Sequence, residues 1–186
     1  MKKYNVIYAD PPWDYNNKKT GGSMVSGAKS KYKTMSLEEI CGMPIQDITD
    51  ENSVLFLWTT VPLLDEGMQV LKAWGFKYKT MITWEKTGTY GMGHWLRVQT
   101  EHILIGVKGF VVPFRHNEKN IYQHPICEHS AKPHFFRELV MTLSDRSFTE
   151  KTRLELFARS RSGFFPDYEY EGWDVYGNQV NNSIKI

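Results

Sequence analysis

A chain of 186 residues with a formal net charge of +2, 41% hydrophobic and 24% charged, is sized for one domain that buries roughly 70% of its unfolded surface. No run of about 18 apolar residues occurs, and the opening MKKYNVIYAD places two lysines before only a short apolar stretch; neither a membrane span nor a signal peptide is expected, and a cytoplasmic protein is. Cys41 and Cys127 stand apart without CxxC spacing, so neither a disulfide framework nor a metal site is expected.

In chain order, YNVIYA (4–9) reads as a short buried strand. Residues 14–34 follow with Lys18, Lys19, Lys29, Lys31 and Lys33 against one acid, Asp14, among Gly, Ser and Asn. This predicts a mobile basic loop, either a solvated surface loop or a flap over a polyanion. SLEEICGM (36–43) predicts a short helix, because Ser36 as N-cap and Glu39 three residues on form a capping box. SVLFLWTT (53–60) is a second apolar strand, and PLLDEGMQVLKAWG (62–75) is a helix with proline at its start and Gly75 as its stop. FKYKTMITWEK (76–86) alternates, and EHILIGVKG (101–109) is a further strand. KPHFFRELVMTLS (132–144) predicts a helix leading into a strand in TRLELFARS (152–160), and NNSIKI at the end predicts a frayed tail. Strands interleaved with helices predict an α/β fold with a mostly parallel sheet. Two long connections, 87–99 and 110–131, are expected to be rim loops.

Ligands of such folds collect beyond the carboxyl ends of the strands, which places Asp10-Pro11-Pro12-Trp13 on the functional rim. Two prolines stiffen the segment and remove two backbone donors. The Asp10 carboxylate and the Pro11 carbonyl are then acceptors for an exocyclic amine, and Trp13 supplies a stacking face. Adenine suits this inventory, since its amine is a poor nucleophile and two acceptors would stabilise the positive charge that grows as it attacks a methyl group. A charge-assisted hydrogen bond to Asp10 is worth about 1.5–3 kcal/mol, and an indole face about 0.5–2 kcal/mol towards a cation. The plain alternative for Asp-Pro-Pro is a turn that ends a strand.

DPPW in this place, followed by YKTMSLEEI, SVLFLWTT, WGFKYKTMITWEKTG, GMGHWLRVQTEHILIGVKG, EHSAKP, RLELFAR and GWDVYGNQV, resembles the DPPW-type N6-adenine methyltransferases, the family of the catalytic subunit of the eukaryotic messenger-RNA adenosine methyltransferase. The resemblance implies a Rossmann-like S-adenosylmethionine-dependent methyltransferase fold in one domain, with the catalytic motif ahead of the cofactor-binding segments. It makes Asp10, Pro11, Pro12 and Trp13 the catalytic and target-base motif, with Asp10 also near the methionine end of the cofactor. By the same resemblance Lys132 binds the cofactor, Arg159 contacts its ribose region, and Asn178 with Gln179 form its ribose-binding amide pair. Asn and Gln can donate to and accept from vicinal hydroxyls, and Lys132 can face a carboxylate as a point charge.

An enzyme that modifies a base works on single strands or flips the nucleotide out. The lysines of 14–34 adjoin the catalytic motif, and His94, Trp95 and Arg97 are further candidates for target contact. The expected reaction is methyl transfer to adenine N6 in DNA, with RNA as the alternative polymer and a catalytically inactive nucleic-acid-binding subunit as the alternative class. So small a chain is expected to find its grip on substrate in its loops, in a homodimer or in a partner subunit. Glu155, on a strand, is expected to pair with a neighbouring base.

Overall fold

A computed structural model describes residues 2–14, 34–88, 95–114, 117–127, 131–159 and 170–186. Strand β1 (Tyr4–Ala9) runs straight into the DPPW segment. Helix α1 (Leu37–Cys41) begins where the capping box predicts: the Glu39 amide donates to Ser36 Oγ at 3.2 Å and the Ser36 amide to Glu39 Oε2 at 2.7 Å. A single turn, α2 (Ile45–Ile48), leads into β2 (Thr49–Thr60), which starts four residues earlier than its apolar run. A 3-10 turn (Val61–Leu63) carrying Pro62 opens α3 (Leu64–Ala73), and Gly75, at φ 84°, turns the chain away in a conformation that costs glycine little. Strands β3 (Lys77–Thr87) and β4 (Thr100–Lys108) follow, then β5 (Ile121–Pro125), α4 (His134–Asp145), β6 (Arg153–Leu156) and β7 (Asp174–Tyr176).

The strands form one sheet in the order β5-β3-β4-β2-β1-β6-β7. Every neighbouring pair is parallel except the two made by β4, which runs against both β2 and β3. The apolar runs are continuous because both faces of the sheet are covered. Ile7, Leu55, Leu57, Leu104 and Leu154 meet Ile40, Ile45, Val70, Leu71 and Trp74 from α1 to α3 on one face. Val6, Tyr8, Phe56, Trp58, Ile103 and Ile105 meet Phe136, Leu139, Val140 and Leu143 of α4 on the other. Among the described residues no helix is long and apolar enough to cross a membrane.

Three expectations need correction. The 110–131 segment is not loop throughout, since β5 lies within it. Its IYQHP sequence lacks an apolar run because β5 is an edge strand with alternate residues exposed. The terminal residues are not frayed: Ser183 exchanges hydrogen bonds with the backbone of Val175, and Ile184 and Ile186 pack on the core. The strand expected in 152–160 stops at Leu156, because Phe157 adopts φ 62° and breaks the extended run. The basic segment 14–34 and its lysines, Lys18, Lys19, Lys29, Lys31 and Lys33, lie outside the described residues except at its two ends, as does His94.

Helix α4 is fastened to β6 by an ion pair of two side chains each 10% exposed: Arg137 Nε donates to Glu155 Oε2 at 2.6 Å, and its Nη2 to Oε1 at 2.9 Å. This is the partner expected for Glu155. Removing one member of such a pair strands the other charge in the interior. Arg137→Met is therefore expected to lower unfolding free energy by about 3–5 kcal/mol, measured by urea denaturation. Arg137→Met combined with Glu155→Gln is expected to recover part of that loss.

Candidate active site at the carboxyl edge of the sheet

Strand β1 pairs with β2 on one side and β6 on the other, Ala9 lying opposite both Leu57 and Leu156. The connection from β1 to β2 carries α1 and α2 on one face, whereas α4, on the opposite face, leads into β6. Neighbouring parallel strands whose helices lie on opposite faces leave a crevice beyond their carboxyl ends. Asp10 lies at its mouth. Phe157, in the left-handed conformation that a bulky side chain rarely adopts, turns the chain away at the corresponding point of β6.

The DPPW segment is tied down on both sides. Trp13 N–H donates to the Pro11 carbonyl at 2.9 Å, the Met35 amide to the Pro12 carbonyl at 2.8 Å, and the Asp14 amide to the Met35 carbonyl at 3.1 Å. The Pro11 carbonyl expected to await an exocyclic amine thus already accepts one hydrogen bond, and its second lone pair is what it has to offer. Trp13 is 8% exposed, and its indole N–H donates to the Trp58 carbonyl at 3.3 Å. Its ring is packed in the core and is not an open stacking platform. Trp58 in turn donates its indole N–H to the Tyr8 hydroxyl at 2.6 Å. Burial, with the Glu155 charge nearby, pushes the Tyr8 hydroxyl far above its ordinary value, so it stays protonated.

Lys132 reaches the crevice from the residues just before α4. Its Nζ donates to Asp10 Oδ1 at 2.9 Å and Oδ2 at 3.0 Å, and lies 5.2 Å from the centre of the Trp58 ring. It also lies 3.4 Å from Glu101 Oε2, while Lys86 Nζ holds Glu101 Oε1. Lys86, Glu101, Lys132 and Asp10 therefore form a chain of alternating charge, the last three side chains 14–24% exposed. Burial pulls the Lys132 ammonium down, but Asp10 and Glu101 outweigh it and hold its pKa above the ordinary lysine value. Burial pushes Glu101 up, and Lys132 and Lys86 outweigh it and hold the carboxyl below its ordinary range. Neither Glu101 nor Lys86 carried a role in the sequence reading. The antiparallel register places Glu101 opposite Trp84, two residues from Lys86, which no spacing in the sequence displays.

Arg159, Asn178 and Gln179 lie at the same edge, after β6 and β7. Arg159 and Gln179 form an isolated parallel bridge, and the Tyr170 hydroxyl donates to the Arg159 carbonyl at 2.6 Å. Gly177 sets this approach, because a Cβ there would lie 2.1 Å from the Ala158 carbonyl oxygen. Asn178 and Gln179 are exposed, so their amides face solvent at the rim. Strand β3 ends at this edge too, which puts Trp95, 98% exposed, and the exposed Arg97 on the loop above it.

The profile of the MT-A70 family matches residues 4–179. The chain belongs to the MT-A70 family. It is 32% identical over 203 residues to "Type II methyltransferase M.MunI" of Mycoplasma sp, covering all of this chain and 82% of that protein. It is 30% identical to "Probable N(6)-adenosine-methyltransferase MT-A70-like" of Oryza sativa subsp. japonica and 28% to "N(6)-adenosine-methyltransferase catalytic subunit METTL3" of Homo sapiens, with 97% of this chain covered in each. It spans 24% and 29% of those two proteins. MT-A70 proteins are N6-adenine methyltransferases and generally use S-adenosylmethionine.

The residue types present suit that cofactor: Asp10 is a carboxylate able to face a cationic group, Lys132 an ammonium able to face a carboxylate, and Arg159, Asn178 and Gln179 carry donors and acceptors able to meet ribose hydroxyls.

A carboxyl whose folded pKa is depressed contributes stability above its unfolded pKa and loses it as pH falls through the folded value. Glu101 is such a group. Lys86→Met removes one of the two charges that depress it, so its carboxyl is expected to titrate at higher pH by carbon-13 NMR. The acid limb of the thermal stability profile is expected to move upward with it.

Proposed function

We propose that this MT-A70 chain transfers the methyl group of S-adenosylmethionine to the N6 amine of adenine in DNA. The observation that carries the reading is the Asp10 carboxylate at the switch-point crevice, on a segment whose two prolines and three backbone hydrogen bonds fix its direction. The cofactor supplies a methyl group on a sulfonium, ready for a nucleophile. Asp10 accepts from one N–H of the adenine amine, and the free lone pair of the Pro11 carbonyl accepts from the other. Both acceptors favour the positive charge that develops on the nitrogen. Trp13 and Trp58, both buried beside this segment, give these dipoles surroundings of low polarity.

Cofactor binding falls to Lys132, Arg159, Asn178 and Gln179, with Asp10 near its methionine end. Contact with the polymer falls to the exposed Trp95 and Arg97, by stacking on a base and by charge on a phosphate. His94 and the five lysines of 14–34 are assigned the same task from the sequence. DNA is favoured by the similarity over nearly full length to a protein named as a type II methyltransferase. The N(6)-adenosine methyltransferases that share the domain keep RNA as the second reading. A second copy of the chain or another subunit is a further source of substrate contacts.

Labelled methyl transfer from S-adenosylmethionine is expected to be highest on DNA when duplex DNA, single-stranded DNA and RNA are compared, with N6-methyladenine identified by mass spectrometry. Asp10→Ala is expected to abolish it; preferential labelling of RNA would move the substrate to the second reading. Gly177→Ala forces the Ala158 carbonyl and the Asn178–Gln179 turn apart. It is expected to weaken S-adenosylmethionine binding at least about tenfold, the scale of one lost charge-assisted hydrogen bond, as read by calorimetry.

A further inference from the structure

Asp10 already has a partner. Both of its carboxylate oxygens lie within hydrogen-bond distance of Lys132 Nζ, so an incoming adenine amine would share the carboxylate with that ammonium through the remaining lone pairs. An ammonium retained there would also oppose the positive charge that grows on the attacking nitrogen. For the Asp10 charge to act in full on the attacking nitrogen, Lys132 has to draw back without entering an apolar interior, where an unpaired ammonium is costly.

The structure holds a place for it. Glu101 Oε2 is buried and meets Lys132 Nζ in an ion pair at 3.4 Å, longer than the 2.9 Å bond from Lys132 to Asp10. Its other oxygen is fixed by Lys86, so the carboxylate is anchored on one side and only loosely engaged on the other. The register pins it further: Glu101 pairs with Thr60 of β2 and Trp84 of β3, in the interior of the sheet edge. The Trp58 ring under Lys132 Nζ gives the ammonium a favourable surface along the way. A movement of well under one side-chain length would convert the 3.4 Å approach into a direct hydrogen bond.

We infer that Glu101 is a positioning residue that receives Lys132 when the target adenine binds, releasing Asp10 to accept the exocyclic amine, with Lys86 holding Glu101 in place for the exchange. The free enzyme then keeps its carboxylate neutralised by Lys132, and the target amine displaces that cation onto a second carboxylate. No net charge is added to or removed from the site. This inference rests on the adenine methyltransferase reading and goes beyond it by naming what the amine must displace.

The test compares binding of an adenine-rich oligodeoxynucleotide with the same strand carrying purine, which lacks the 6-amino group, at every adenine. Anisotropy is read for the wild-type chain and for Glu101→Gln, Lys132→Met and the double variant. Glu101→Gln is expected to weaken the adenine strand about tenfold, as for loss of one charge-assisted hydrogen bond, and to leave the purine strand unchanged. It is also expected to lower the single-turnover rate of methyl transfer. In the Lys132→Met background, where no cation needs a second dock, Glu101→Gln is expected to have no further effect on adenine binding. Equal weakening of both strands, or an undiminished effect of Glu101→Gln without Lys132, would assign Glu101 a purely structural role and overturn the inference. If Glu101→Gln fails to fold, the two strands are compared with Glu101→Asp, which keeps the charge and withdraws the dock by one methylene; equal affinity changes there overturn it likewise. A wild-type chain that transfers methyl to adenine, beside a Glu101→Gln chain identical to it, sinks the inference alone. No transfer by the wild type sinks the underlying reading as well.

Discussion

Strand β1 is hydrogen-bonded along both edges by parallel neighbours, β2 and β6, and the placement of the crevice follows from that constraint. Parallel strands end at the same edge, so whatever follows Ala9, Leu57 and Leu156 is brought together without any sequence proximity. Both faces must then be covered, since a parallel sheet has no solvated side to offer. Helices α1 to α3 cover one face and α4 the other, and this division opens the crevice at the carboxyl ends of β1 and β6. Lys132 reaches it because α4 begins there, its amine lying over Trp58.

The exception to parallel order has its own use. Strand β4 runs the other way, so its first residues, not its last, reach the functional edge. Glu101 enters the site from a segment that would otherwise point away from it. Its burial is tolerated because two lysines flank it, and theirs because Glu101 and Asp10 lie between them. None of these charges would be cheap alone. Together they leave a polar thread through an apolar rim lined by Trp58, Trp84 and Phe136.

Much of the architecture was legible in local chemistry. The Ser36–Glu39 capping box, the stop at Gly75 and the apolar runs of β1 and β2 each rest on interactions within a few residues, and each lies where its pattern indicates. The position of Asp10 followed from the general rule for strand ends. Strand β5 was hidden because an edge strand needs no buried face. The terminal residues were hidden because Ser183 and Ile186 find their partners in β7 and the core, not in each other. In the site, Asp10 and Lys132 were legible as residues but not as partners, since 122 positions separate them. The Lys86–Glu101 contact depends on strand register. The commitment of the Pro11 carbonyl to Trp13 depends on a local turn that the two prolines permit without dictating.

The pairing of β1 with β6 also governs how the molecule can be assembled. Asn5 and Thr152, which bond across that seam, are 147 positions apart, so β1 waits for one of its two flanking strands until most of the chain has left the ribosome. Contacts of such separation carry a loop-closure cost that slows folding. Until β6 arrives, the VIYA strand presents one unpaired edge of high β-propensity, the kind of surface that invites pairing with another chain. The strand that brings Asp10 to the crevice is therefore also one at which a nascent chain is exposed to misassembly.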